Sequence, residues 1–393
     1  MAMAVHRSAP TLVLVLFLCT LPLTTSQSEP PCGATRARSF HLDNCSEVPP
    51  EEEKQLRSNT TTVLLPSLYL VALVVGLPSN LLALWVLLFR TKKQPSTILL
   101  INLTTCDLLL LVVLPFRIAY HFQGNNWTLG EPFCRLVMAL FYGNMYGSIM
   151  CLALIAFDRY LALVHPFSGM MLRGFRLSVY MSVAVWSVVL AAMVPLLATR
   201  QAYLVRNLEI ITCHDALPID TQRSFFLPYF ASLFSICFVL PLAVVVFCYC
   251  CVLYTLIKAG ERYNHAAKVT VLVMVVCLVC LLPSNVLLIT HNYNLLKEGK
   301  ETVDNLYMPY MLMLALSTFN SCLDPFIFYY VSDEFREKAL QVLCCRKSIK
   351  EPISSQKETS STSMSSRSKV TLGTTSGQAS APTEASCLKS EVV

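Results

Sequence analysis

Charge is what this 393-residue sequence has least of. Only 14% of its residues are Asp, Glu, Lys or Arg, against about a quarter in ordinary soluble domains. Water cannot solvate most of such a chain, which excludes a soluble globular domain as its main body. The net charge is +6, and no basic stripe interleaved with aromatics is present, so nucleic acid is excluded as a partner. The seventeen cysteines form no zinc-type array, and most lie in apolar runs, where a thiol behaves as a small hydrophobe. Aspartates are single and scattered, without the His/Asp clusters a membrane hydrolase needs at its helix ends. The internal symmetry of an inverted-repeat transporter is missing as well.

What the sequence does have is long apolar runs. Residues 1–26 read as a secretory signal peptide: His6 and Arg7 precede the apolar stretch Leu12 to Leu18, and Thr24 and Ser26 supply small residues for cleavage. Seven further runs are each long enough to cross a bilayer as a helix. They cover Leu64–Phe89, Thr97–Tyr120, Pro132–Leu163, Leu177–Ala198, Ser224–Ile257, Val269–Leu296 and Tyr307–Val331. Continuous apolarity without period-two alternation selects helices over barrel strands. The expected fold is therefore an all-α membrane protein, a seven-transmembrane helix bundle (64–331), with a short amphipathic eighth helix over 332–345. Prolines 78, 115, 241, 283 and 325 interrupt the spans, as membrane helices tolerate. Lys and Arg are biased to the loops after spans one, three, five and seven. By the positive-inside rule the N-terminus is extracellular and the C-terminus cytoplasmic, in a multi-pass plasma-membrane protein. Sequons at Asn44, Asn59 and Asn126 fall on the outside, whereas Asn102 lies within span two and reads as a chance match. Past Lys350 the Ser/Thr-rich tail (346–393) carries no periodicity and reads as disordered.

Charges in hydrocarbon are costly and usually functional. Asp107 lies about 16 Å deep in span two and Asp324 about 10 Å from the inner end of span seven, at 1.5 Å per residue. Asn144 and Ser148 are four apart, as are Asn320 and Asp324, so each pair shares a helix face. These five residues are expected to form one polar pocket, wet or holding a sodium ion. No other cofactor is expected. At the inner end of span three stands Asp158-Arg159-Tyr160, where Asp158 can hold Arg159 while the helices are closed.

These motifs carry a resemblance. "GLPSN" ending at Asn80, "NLTTCD" ending at Asp107, Trp127 before Cys134, "DRYLALVHP" from Asp158, Trp186, Pro241 with Tyr249, "LLPSN" around Pro283 and "NSCLDPFIF" from Asn320 occur in the right order on the right helices. Together, over about Leu64 to Cys345, they resemble a rhodopsin-like (class A) G-protein-coupled receptor. Two departures stand out: Phe328 replaces the usual tyrosine of the span-seven motif, and Leu281 the usual tryptophan before Pro283. The resemblance implies no enzymatic activity and heterotrimeric G proteins as partners, of the Gq and G-twelve/thirteen types. It implies a switch built on Asp158, Arg159, Tyr160 and Tyr249, and a disulfide between Cys134 and Cys213. It also implies arrestin and receptor kinases acting on the tail, and palmitoylation of Cys344 and Cys345 at the bilayer surface.

The loop after span four reads "CHDALPID" from Cys213, similar to the signature of protease-activated (thrombin) receptors. That resemblance explains the tail "ATRARSFHLDNCS". A serine protease, thrombin or trypsin-like, is expected to cut between Arg38 and Ser39, removing a propeptide (27–38), with Arg36 a second candidate. The new terminus would be a tethered agonist, Ser39, Phe40, His41, Leu42, Asp43 and Asn44, at the head of an extracellular tail (39–63). Cleavage turns the Ser39 amide into an ammonium. That charge can seek Asp215 beside His214, with Tyr142, His291, Tyr307 and Tyr310 lining the pocket for Phe40. Glu51, Glu52 and Glu53 could steer a protease with a basic exosite or simply solvate a linker. Cys45, "LVVGLPSN", "RIAYH" and "DRYLALVHP" are most like the platelet-type branch, which implies a role in platelet activation and coagulation. "SFHLDN" is more like the thrombin-receptor branch. The competing reading is a receptor for a diffusible peptide or nucleotide.

Overall fold

The computed structural model describes residues 35–37, 41–42, 50–92, 94–167, 174–218, 222–297 and 306–343. Seven helices are long and apolar enough to cross a membrane: Glu53–Phe89, Pro95–Phe122, Glu131–Leu163, Phe175–Ala198, Ser224–Lys258, Glu261–Thr290 and Tyr307–Tyr330. We number them spans one to seven. An eighth helix, Asp333–Leu343, follows. Spans one and two, two and three, three and four, three and five, five and six, and six and seven pack together, and span seven returns to span one. Span three is central: 67% of its apolar stretch is buried, against 28% for span four.

Span one starts earlier than its apolar run. A helix at Pro50–Leu56 leads through a π-turn at Thr60–Leu64 into the main helix Leu65–Phe89. Glu53 pairs with Arg57 one turn on (3.7 Å). Thr61 Oγ1 donates to the Leu56 carbonyl at 2.9 Å, and Asn125 Nδ2 donates to the same carbonyl at 2.8 Å. These side-chain donors satisfy the carbonyl where the helix loosens. The acidic run therefore continues into helix rather than solvated linker.

The helix irregularities have a common cause. The π-turns Thr60–Leu64, Gln222–Phe226 and Leu233–Val239 each lie just ahead of a proline: Pro66, Pro228 and Pro241. Proline removes an N–H and pushes away the carbonyl one turn back, and the chain absorbs the misfit by widening the turn.

Polar side chains hold spans one, two, four and seven together. Asn80 Nδ2 donates to the Gly76 carbonyl (2.9 Å) and across to the Ser321 carbonyl (2.7 Å). The sequon residue Asn102 is an interhelical linker: its Nδ2 donates to Ser182 Oγ (2.5 Å), and it accepts from Trp186 Nε1 (3.2 Å). Where spans one, two and seven cross, a Cβ on Gly76 would sit 3.0 Å from a Leu111 methyl and 3.2 Å from Cys322 Sγ. Gly76→Val is therefore expected to cost about 1–3 kcal/mol by overpacking. A thermal midpoint in detergent equal to that of the parent would show that this crossing can open.

At the disulfide end the loop between spans four and five folds as a hairpin that sequence reasoning did not foresee. Strand β3, Ala202–Val205, pairs antiparallel with β4, Ile210–Cys213, placing Ala202 opposite Cys213. Glu209, at φ 53°, closes its turn in a left-handed conformation. Glu131, at the start of span three, fastens the hairpin: its carboxylate accepts from the Gln201 N–H (2.6 Å), the Ala202 N–H (2.5 Å) and Arg135 Nε (2.7 Å). A second sheet joins distant parts of the chain. Strands β1 (Thr35–Ala37), β2 (His41–Leu42) and β5 (Ala216–Pro218) lie in the order β2-β1-β5.

Candidate functional site

Cys134 and Cys213 form a disulfide that ties the start of span three to the end of β4. The next two residues drop into the bundle: His214 takes φ 70°, and both His214 and Asp215 are buried. Tyr120 donates its hydroxyl to Asp215 Oδ2 at 2.5 Å. The His214 ring meets Tyr142 edge-on (5.6 Å between centroids), and Phe226 and Phe230 pack against its other sides. Tyr142 and Tyr310 touch through their hydroxyls at 3.2 Å. Tyr307 is buried within electrostatic reach of Asp215. Of the six ligand-pocket residues expected from sequence, the structure thus gathers His214, Asp215, Tyr142, Tyr307 and Tyr310. The tyrosines are buried inside the bundle and do not face lipid as an aromatic belt would. The side chain of His291 lies outside the described residues.

The largest omission of the sequence reading is Arg117. It is 2% exposed and lies over the rings of Tyr120 (5.5 Å) and Phe141 (5.8 Å), within electrostatic reach of Asp215. Tyr69 and His121 stack beside it, and His121 Nδ1 bonds Asn125 Oδ1 at 2.7 Å. A buried arginine inside an apolar run is as conspicuous as Asp107, and "RIAYH" could have been flagged on that ground. Tyr120 carried no such signal, because tyrosine near a span end is common. The site's chemistry is an anion and a cation within electrostatic reach of each other among aromatic rings and hydroxyls. It suits a ligand with one charged and one aromatic group.

A second polar cluster lies deeper. Asp107 Oδ1 accepts from Asn144 Nδ2 (3.3 Å) and Ser148 Oγ (3.5 Å), and Asn144 also donates to Ser148 Oγ (3.1 Å). Asn320 Nδ2 donates to Asp324 Oδ2 at 3.1 Å. Asp324 faces Asp107. All five expected pocket residues are buried together. Asp107 Oδ2, Asn80 Oδ1 and Asn320 Oδ1 find no donor among the described residues. Oxygen donors with two carboxylates are the set a hard cation takes. Among the described residues no three His, Cys, Asp or Glu side chains could hold a metal by themselves, so such a cation would depend on the Asn and Ser oxygens. Two Cys-x-x-Cys pairs, Cys248/Cys251 and Cys277/Cys280, lie in spans five and six without forming such a group.

At the opposite end Asp158 is buried. Arg159 lies within electrostatic reach of the buried Tyr249. Tyr160 Oη bonds His165 Nε2 at 2.9 Å. Phe328 is buried against Phe335 of the eighth helix (6.0 Å, edge-on), while Tyr330 is exposed. Leu281 is buried, its carbonyl accepting from Asn285 Nδ2 at 2.9 Å. Asn59 is exposed, and Asn126 Oδ1 accepts from the Ile211 N–H at 3.0 Å. Arg38, Ser39, Phe40, Asp43, Asn44, Cys344 and Cys345 lie outside the described residues, and of Arg36, His41 and Leu42 only the strand placement is described.

Comparison with known proteins agrees with this architecture. Residues 79–328 match the family model of the 7 transmembrane receptor (rhodopsin family). The chain is 46% identical to Proteinase-activated receptor 4 of Rattus norvegicus over 76% of its length and 75% of that protein's. It is 46% identical to Proteinase-activated receptor 4 of Homo sapiens, over 74% of this chain and 75% of the other. With Proteinase-activated receptor 3 of Homo sapiens it shares 40% identity over 77% and 78%. A match across seven spans, together with the disulfide and the buried polar clusters, establishes that the chain belongs to the proteinase-activated receptors, within the rhodopsin family of G-protein-coupled receptors.

Proposed function

We propose that this receptor is switched on by a serine protease, thrombin or trypsin-like, that cuts after Arg38. The segment Ser39–Asn44 then acts as a tethered agonist. Its new ammonium is received by Asp215, and Phe40 enters the cluster of Tyr142, His214, Tyr307 and Tyr310. The observation that carries this reading is Asp215 itself: a buried carboxylate at the disulfide end, held by Tyr120 at 2.5 Å and ringed by aromatics. Tethering supplies an effective concentration of about a millimolar, so weak intrinsic affinity suffices. The disulfide end is extracellular in this reading, and the Asp158 end engages heterotrimeric G proteins, with arrestin and receptor kinases acting through the Ser/Thr tail. The chain catalyses no chemistry beyond promoting nucleotide exchange on its partner. Platelet activation in coagulation fits the similarity to receptors of the fourth type.

The test is an Arg38→Ala receptor. Calcium responses to thrombin and trypsin are expected to disappear, while the response to added SFHLDN peptide persists. An undiminished protease response would remove Arg38 as the switch.

The deeper cluster is read as a sodium site held by Asp107, Asn144, Ser148, Asn320 and Asp324, stabilising the inactive arrangement. Asp107→Asn removes the main reason for a cation to sit at mid-membrane. It is expected to abolish the sodium dependence of agonist potency. Sodium sensitivity equal to that of the parent would sink this assignment.

A further inference from the structure

Strand β1 pairs with β5 in the register Thr35↔Pro218, Arg36↔Leu217 and Ala37↔Ala216, and with β2 in the register Thr35↔Leu42 and Arg36↔His41. β5 begins at Ala216, the residue after Asp215. Three consequences follow from this order. The Arg38–Ser39 bond falls in the link between β1 and β2, so cutting it breaks none of the backbone hydrogen bonds between β1 and β5. The agonist residues His41 and Leu42 are paired to the far edge of β1, two strand spacings or roughly 9.6 Å away from β5. And β5 takes one strand on this edge, so whatever pairs there excludes another. Pro218, opposite Thr35, lacks an N–H and ends the docking edge at that point.

We propose that the edge of β5 is an extended-peptide docking site for the propeptide, and that the fragment ending at Arg38 stays on it after cleavage until the agonist displaces it. An exposed strand edge recognises an extended peptide through main-chain hydrogen bonds. Here the ligand is a short segment with a free carboxylate at its arginine end. It competes with the agonist for the strand adjoining the ammonium acceptor. The docking stands on strand pairing alone; its consequence for signalling rests on the tethered-agonist reading.

The experiment uses the full-length receptor with Arg38→Ala, which leaves β1 in place and removes the Arg38 cut site, in the absence of added protease, and the same receptor with Arg36→Pro and Ala37→Pro added. Proline cannot complete the ladder. Free SFHLDN is the agonist and GATRAR (Gly33–Arg38 with a free carboxylate) the competitor. Losing one or two backbone hydrogen bonds should raise SFHLDN potency about tenfold in the proline variant, and GATRAR should reverse the gain. Equal potency in the two receptors, with no effect of GATRAR, would overturn the competition. Amide hydrogen exchange at Ala216 and Leu217 reads the docking directly. Faster exchange in the proline variant is expected, and equal exchange would overturn the site. If SFHLDN activates neither receptor, the tethered-agonist reading fails while the exchange result still decides the docking.

Discussion

N-acetylated SFHLDN is expected to be inactive at concentrations where the free peptide signals fully. Acetylation removes the charge that cleavage would create on the agonist and leaves every side chain in place. The proposed receiving group is Asp215, which is 6% exposed, so the aqueous alternative that would soften the loss is small. A charge-assisted hydrogen bond contributes about 1.5–3 kcal/mol, or roughly ten- to a hundredfold in potency. Asp215→Asn is expected to produce the same loss from the receptor side and to make free and acetylated peptides nearly equivalent. Dose–response curves for both peptides on both receptors form a double-mutant cycle. Equal potency of the two peptides on the parent would mean the ammonium is not read at Asp215. Arg117 sharpens the expectation: a permanent cation near the same carboxylate means the arriving ammonium must be placed well, not merely attracted.

Cys134→Ala or Cys213→Ala is expected to abolish surface expression or, where some receptor reaches the surface, the agonist response. The bond closes a loop across a sequence separation of 79 residues, whose loss in the chain-entropy account costs about 4–5 kcal/mol. That is comparable with the whole stability of many domains, about 5–15 kcal/mol. The functional cost is more local. Cys213 ends β4, and His214 and Asp215 follow directly, so releasing Cys213 frees the short segment that carries both of these proposed ligand contacts. Surface immunolabelling alongside calcium measurements separates misfolding from misplacement of Asp215. Normal expression with a normal response in either variant would show the bond to be dispensable.

The seven helices were legible because the constraint behind them is local and severe. Each backbone polar group in hydrocarbon must be satisfied within its own segment, so length and continuous apolarity suffice. Asp107 and Asp324 were legible for a related reason: a carboxylate in an apolar run announces itself. The early start of span one was not, because Glu51–Glu53 and Thr60–Thr62 have poor membrane character, and their helix depends on a donor, Asn125, from another part of the chain. Tyr120 was unreadable as the partner of Asp215 because the two are 95 residues apart, and no residue pattern records a contact across that separation.

Sequence alone therefore carried the span count, the disulfide partners by family likeness and the buried carboxylates Asp107 and Asp324, all of which depend on single residues or single runs. Folding in three dimensions decided which of those residues meet. It set Arg117 within electrostatic reach of Asp215 in the buried interior. It brought Tyr310 to Tyr142 and Phe328 to Phe335 rather than to a polar partner. It also laid Thr35–Ala37 on a strand 180 residues downstream. Strand pairing of that kind is main-chain hydrogen bonding between remote segments. It leaves almost no mark on side-chain identity, so it becomes visible only when both edges are seen together.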